Sequence, residues 1–199
     1  LKDWSGAKGL AEDVRRYGQW IFEEAVKRIG VLYPGVKITD EMIGERPDLK
    51  PYAGEELTVI AWLWARTVKS PSPAFSHVNV PQARSFVLST KSGKEAWVEP
   101  VIDSDHYHFR VRSGKMPQGS RDGTVARTGG TCILSDVAMP FSYLRSEAKA
   151  GRMKEKLLAI VAEGKKGRVY LSPTAETQKI AESAAPRNVP ESDLPEKAL

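Results

Sequence analysis

A single cysteine, Cys132, in 199 residues limits what can hold this chain together. One thiol excludes an intrachain disulfide framework. It also argues against a structural zinc site of the usual kind, which takes four Cys or His ligands in two pairs on tight turns. The fold must therefore rest on an apolar core. The hydrophobic fraction of 41% and the charged fraction of 28% are those of an ordinary globular domain. No apolar run approaches the ~20 residues that span a bilayer, and no signal-peptide pattern is present. Together with the lone cysteine, this gives the expectation of a cytoplasmic protein with no membrane partner.

The chain reads as α+β. In residues 8–29, Leu10, Val14, Tyr17, Ile21, Ala25 and Ile29 recur at spacings of three and four, which predicts an amphipathic helix ended at Gly30. Residues 31–56 carry Pro34, Pro47 and Pro51 with little apolar periodicity and read as a long surface loop. Residues 59–68 are rich in β-branched and aromatic side chains, apolar at both parities, and predict a strand covered on both faces. Trp62 and Trp64 share one face of it, where core packing is the favoured role over base stacking.

Three further strands are predicted over 84–90, 95–102 and 107–112, joined by the turns Lys91-Ser-Gly-Lys94 and Asp103-Ser-Asp105 into an antiparallel meander. In the last of them Tyr107, Phe109 and Val111 face a core while His108, Arg110 and Arg112 point outward. A loop over 114–123 and a short strand over 124–127 follow. Residues 142–149 predict a short helix, and 157–171 a hairpin turning at Gly164-Lys-Lys-Gly167. Residues 174–185 predict a helix capped by Ser172 or Thr174, and the Pro-rich 186–199 an extended linker. The expected division is a helix and loop over 1–56, an antiparallel β domain over 57–171, and a helix with linker over 172–199.

Charge is uneven. The net charge is +5, yet residues 107–170 hold 13 Lys or Arg against 5 Asp or Glu, and the remainder is net negative. A basic segment of this kind points to a phosphate backbone. A solvated surface balanced by acidic lobes elsewhere is the bland alternative.

Six stretches resemble one family. They are Gly9-Leu-Ala-Glu-Asp-Val-Arg-Arg-Tyr-Gly-Gln-Trp20, Thr58-Val-Ile-Ala-Trp-Leu-Trp-Ala-Arg-Thr-Val68 with Arg84-Ser-Phe86, Met139-Pro-Phe-Ser-Tyr-Leu-Arg145, Ala150-Gly-Arg-Met153, and Leu158-Ala-Ile-Val-Ala-Glu-Gly-Lys-Lys-Gly-Arg-Val-Tyr-Leu171. In this order they resemble the adenine-specific DNA methylases that carry an internal zinc ribbon. The resemblance places ribbon knuckles at Ser70-Pro-Ser-Pro-Ala-Phe-Ser76 and at Gly129-Gly-Thr-Cys-Ile-Leu-Ser-Asp136. The family's four cysteines then fall on Ser70, Phe75, Cys132 and Ser135, so no metal is expected. A clasp of Phe75, Ile133 and Leu134 is expected to replace it.

The resemblance implies S-adenosylmethionine as the cofactor of a parent enzyme. Neither a Gly-rich cofactor turn nor an Asp/Asn-Pro-Pro-Tyr/Phe motif occurs in the chain, so both are expected outside residues 1–199, and no cofactor is expected within them. The chain then reads as a non-catalytic middle segment with two partners, DNA and the remaining lobes of the parent methylase. The candidate DNA contacts are Arg110, Arg112, Arg145, Lys149, Arg152, Lys165, Lys166 and Arg168. The alternative is an interaction or bracing module docking through an apolar patch around Trp62 and Trp64.

Other chemistry finds little purchase. Cys132 with His77 lacks two further ligands. His106 and His108 with Asp103 and Asp105 make only a weak metal pattern. No Gly-x-Ser-x-Gly elbow is present, and Gly164-Lys-Lys-Gly167 lacks the length and the Ser/Thr of a phosphate loop.

Overall fold

The computed structural model describes residues 6–183. The architecture is α+β, with three antiparallel sheets and four α-helices among the described residues. Helix α1 (Gly6–Ile29) ends in a 3-10 turn at Gly30–Leu32. The expected loop over 31–56 is instead structured. Strand β1 (Gly35–Lys37) pairs with the start of β2 (Glu56–Lys69). Helix α2 (Asp40–Glu45) begins under a Thr39 cap whose side chain accepts from Met42 N, and a 3-10 turn covers Pro47–Tyr52. Ile38 and Leu49 are fully buried. Prolines at 47 and 51 suit a 3-10 turn as well as a loop, and elements this short show no measurable period.

The central sheet runs β1-β2-β10 (Lys154–Gly164)-β11 (Gly167–Leu171), with β3 (Asn79–Pro81) added at the far end of β2. The meander is β4 (Val87–Ser89), β5 (Ala96–Asp103) and β6 (His106–Ser113), as the turn residues predicted. A small third sheet holds β7 (Val125–Ala126), β8 (Gly129–Thr131) and β9 (Ala138–Pro140), followed by helix α3 (Phe141–Lys149). The hairpin of β10 (Lys154–Gly164) and β11 (Gly167–Leu171) precedes α4 (Ala175–Ser183). Thr174 caps α4 by accepting from Thr177 N at 3.1 Å. Ser172 instead braces the meander, where its hydroxyl accepts from Val111 N at 2.9 Å. The linker expected over 186–199 lies outside the described residues.

Both faces of β2 and β10 are covered, and a bulge makes this possible. Leu157 pairs with Trp64, but Ala159 pairs with Leu63, so Leu158 is an extra residue in β10. One inserted residue reverses the alternation of the strand. Leu157 and Ile160 therefore both face the cluster of Ile38, Leu49, Val59 and Leu171. Ala159 faces the opposite cluster, with Phe86, Val98, Phe109 and Val111 of the meander. Trp62 and Trp64 are half-buried against the first cluster, and the Trp62 indole N–H donates to Leu32 O at 3.2 Å.

Arg46 ties the meander to the central sheet. It is 8% exposed. Its Nη1 donates to Val111 O of β6 at 3.3 Å and to Tyr170 O of β11 at 3.1 Å. Its Nε and Nη2 grip the Asp48 carboxylate at 2.7 and 2.6 Å. Burial pushes the Asp48 carboxyl up, but the hydrogen bond and charge of Arg46 outweigh it, and the net shift is below the ordinary 3.8.

Arg46→Met should destabilise the fold by about 2–3 kcal/mol, because it strands two carbonyls and a half-exposed carboxylate. The carboxyl shift adds a pH signature. A depressed folded pKa contributes stability above the unfolded value and loses it as pH falls through the folded one. The gap between native chain and variant should therefore narrow below pH 3.8. Urea unfolding at neutral and acid pH checks both.

Candidate nucleic-acid interface

Two hairpin tips distant in sequence meet in space. The β4–β5 turn closes through Lys94 N donating to Lys91 O at 2.8 Å. The β10–β11 tip is Gly164-Lys165-Lys166-Gly167, with Gly164 paired to Gly167. Gly164 has no room for a side chain: a Cβ would lie 2.6 Å from Val169 Cγ2 and 2.8 Å from the Tyr52 hydroxyl. Gly167 holds a φ of +111° that L side chains rarely adopt. The tip is thus pinned in shape, while its lysines are exposed.

Lys94 Nζ donates to Lys166 O and joins the tips. Between them lies a cleft of about 250 Å³ whose wall includes Lys94, Lys165, Lys166, Arg168 and Tyr52. Arg46 and Asp48, also in its wall, neutralise each other, and Lys165 pairs with Glu55. Lys94, Lys166 and Arg168 carry no carboxylate partner among the described residues. Exposed cations around a concave site suit a polyanion, and exposed ion pairs such as Lys165–Glu55 are weak enough to exchange. Lys94 escaped the sequence reading because it lies outside the basic window; its signal was a lysine flanking a Gly-containing turn.

The other predicted contacts do not join this cleft. Arg112 Nε is 2.7 Å from Glu99 Oε2, and Arg110 Nε is 3.8 Å from Glu45 Oε2. Arg152 grips Glu147 at 3.0 and 2.6 Å and holds that carboxyl below its ordinary range. Arg145 leans over the Phe141 ring, 5.9 Å from its centroid, and Lys149 is in the last turn of α3. Helix α3 is anchored at the opposite end of β2, where Tyr143 Oη donates to Lys69 O at 2.9 Å. Val59, near the hairpin tip, and Lys69 are ten residues apart on one strand, or roughly 30 Å. The basic half of the sequence is therefore two separate surfaces, with Arg110, Arg112 and Arg152 neutralised.

Three of the four positions that the methylase resemblance assigns to ribbon ligands meet. Ser70 Oγ donates to Cys132 Sγ at 3.3 Å and accepts from Ser72 N at 3.2 Å. Burial pushes the Cys132 thiol up, but hydrogen bonding from the Ser70 hydroxyl and from the Leu134 and Ser135 N–H groups opposes it, and the net shift is downward. Phe75 and Leu134 pack against the cluster that contains buried Ile133. The three side chains expected as a clasp thus belong to one larger apolar cluster. The residues do not fit zinc, since one thiol, two hydroxyls and a phenyl ring are not its ligands. His77 does not approach Cys132 as a substitute: its Nε2 lies 3.5 Å from Asp105 Oδ2, beside His106. Among the described residues no group of three His, Cys, Asp or Glu is placed to hold a metal ion.

No family model, no curated protein and no solved structure matches this chain. No helix among the described residues is long and apolar enough to cross a membrane.

The knuckle geometry is testable by restoring thiols. The native chain should carry no stoichiometric zinc and should keep its melting temperature in chelator. Ser70→Cys with Phe75→Cys and Ser135→Cys should bind about one zinc per chain and gain chelator-sensitive stability. Elemental analysis and thermal unfolding with and without chelator measure both.

Proposed function

We propose that this chain is a non-catalytic segment of an S-adenosylmethionine-dependent, adenine-specific DNA methyltransferase, and that its two-tip cleft grips the DNA backbone. The observation that carries this reading is the meeting of Lys94 with Lys165, Lys166 and Arg168 in one exposed cleft. The stretches that resemble the methylases supply the substrate; the cleft supplies the contact. Methylation of adenine requires the base to leave the stack, so backbone contacts beyond the catalytic core are needed to hold the strained duplex. Lysine ammonium groups on hairpin tips suit that role, because phosphate contacts position a duplex without reading its sequence. Arg168 has a planar donor fork free in the cleft, and such a fork grips a phosphate in the same bidentate way as a base edge. Cofactor and chemistry belong to the parent enzyme's other lobes.

Binding of duplex DNA should be weak, sequence-tolerant and steeply salt-dependent. Replacing Lys94, Lys165, Lys166 and Arg168 together with Gln should weaken it on every sequence and flatten the salt slope by up to about four units. Replacing Arg110 and Arg112 should matter much less, because both face carboxylates. Fluorescence anisotropy of labelled duplexes at several salt concentrations makes the comparison. An unchanged slope in the fourfold variant would remove the cleft from the DNA surface. Calorimetric titration of the isolated chain with S-adenosylmethionine should show no saturable binding.

A further inference from the structure

A second cleft, of about 350 Å³, lies where the start of β10 meets the β5–β6 turn. Lys156 in its wall and Gly164 at the hairpin tip are eight residues apart on β10, so it is roughly 25 Å from the two-tip cleft. Ahead of the Leu158 bulge, Lys154 and Lys156 share the strand face turned to the meander. Lys156 is half-buried there. Its Nζ lies 3.9 Å from the Tyr107 ring centroid and donates to Tyr107 O at 3.0 Å. An ammonium has three donors, and no carboxylate takes the others among the described residues. Burial, with no opposite charge beside it, pulls the Lys156 amine below its ordinary range. A half-buried charge in this position lacks a counter-ion.

The rest of the wall has polar groups to spare. Thr67 is 1% exposed, and its hydroxyl has no hydrogen-bond partner among the described residues. Asn79 Oδ1 is buried and equally unpartnered, although Asn79 O accepts from Tyr107 Oη at 2.5 Å. Both residues line the cleft. Buried polar groups nearly always have a partner, so two orphans beside one unpaired lysine point to a missing ligand. Asp105, also in the wall, is occupied by two imidazoles: His77 Nε2 is 3.5 Å from its Oδ2, and His106 Nδ1 meets its Oδ1.

We propose that this cleft binds a phosphate dianion, either free or as the monoester of a small molecule. Two ammonium groups, of Lys154 and Lys156, match the charge of a phosphate monoester at neutral pH. The Thr67 hydroxyl supplies a donor to one phosphate oxygen, and Asn79 Oδ1 an acceptor for a hydroxyl of the esterified molecule. A carboxylate is the poorer match, since it carries one charge and suits the planar fork of an arginine, which this wall lacks. The diester of a nucleic-acid backbone also carries one charge per phosphate. The cavity volume is in the range of small-ligand sites.

The test uses the full chain with Lys94, Lys165, Lys166 and Arg168 replaced by Gln, which silences the two-tip cleft and leaves this one intact. Calorimetric titration with inorganic phosphate, ribose 5-phosphate and ribose should show one saturable site per chain for the two phosphates, at about millimolar concentration or below, and none for ribose. Tighter binding of ribose 5-phosphate assigns the site to a phosphomonoester; equal binding assigns it to free phosphate. Lys156→Met should weaken either phosphate about tenfold or more, and Lys154→Gln by less. Thr67→Val should weaken binding about threefold or more while leaving the melting temperature of the free chain unchanged or raised, because the hydroxyl has no partner to lose. Should Lys156→Met fail to fold, Thr67→Val decides alone. The proposal is overturned by the absence of saturable phosphate binding, by equal binding of ribose, or by phosphate binding that these substitutions leave unchanged.

Discussion

One buried guanidinium holds the two larger sheets in register. Arg46 donates to Val111 O on the meander and to Tyr170 O on the central sheet, and it is neutralised by Asp48 two residues on. An arginine at 8% exposure is tolerated only with its charge paired and its donors filled. Its planar fork fills them in several directions at once, which a lysine does not. The short helix α2 and the 3-10 turn after it present Arg46 to both strands. The segment that looked like a loop is thus a structural joint.

The candidate interface follows from that joint. With β6 and β11 held together, the β4–β5 turn and the β10–β11 tip lie side by side, and Lys94 reaches the carbonyl of Lys166. Collecting cations at one place costs Coulomb energy, which solvent exposure keeps small. A bound polyanion removes that repulsion. At the other end of β2, the same sheet supports the serine and cysteine turns. There Val68, Val80, Cys132 and Met139 form a third buried cluster. Apolar contacts individually supply less than a zinc site, so the surrounding sheet has to carry the fold.

Much of the fold was legible in short-range pattern. The β-branched run of 59–68, the Gly-containing turns and the three-and-four spacing of 8–29 specify strand, hairpin and helix through local dihedrals and periodicity. The loss of three ligand-type residues at the assumed ribbon positions was equally plain, because ligand chemistry is a property of residue type. The half-burial of the tryptophans follows from the same alternation.

Sequence alone did not decide where the charges would lie or which would be free. The basic count of residues 107–170 treated Arg112, Arg152 and Lys165 as equals, yet Glu99, Glu147 and Glu55 sit against them. Lys94 was outside the count and lines the cleft. The helical stripe of α1 was legible as a stripe but not as an exposed one. These are long-range facts. A partner 13 or 110 residues away is set by strand register, by one bulge at Leu158 and by the Arg46 joint, and local pattern carries no record of them.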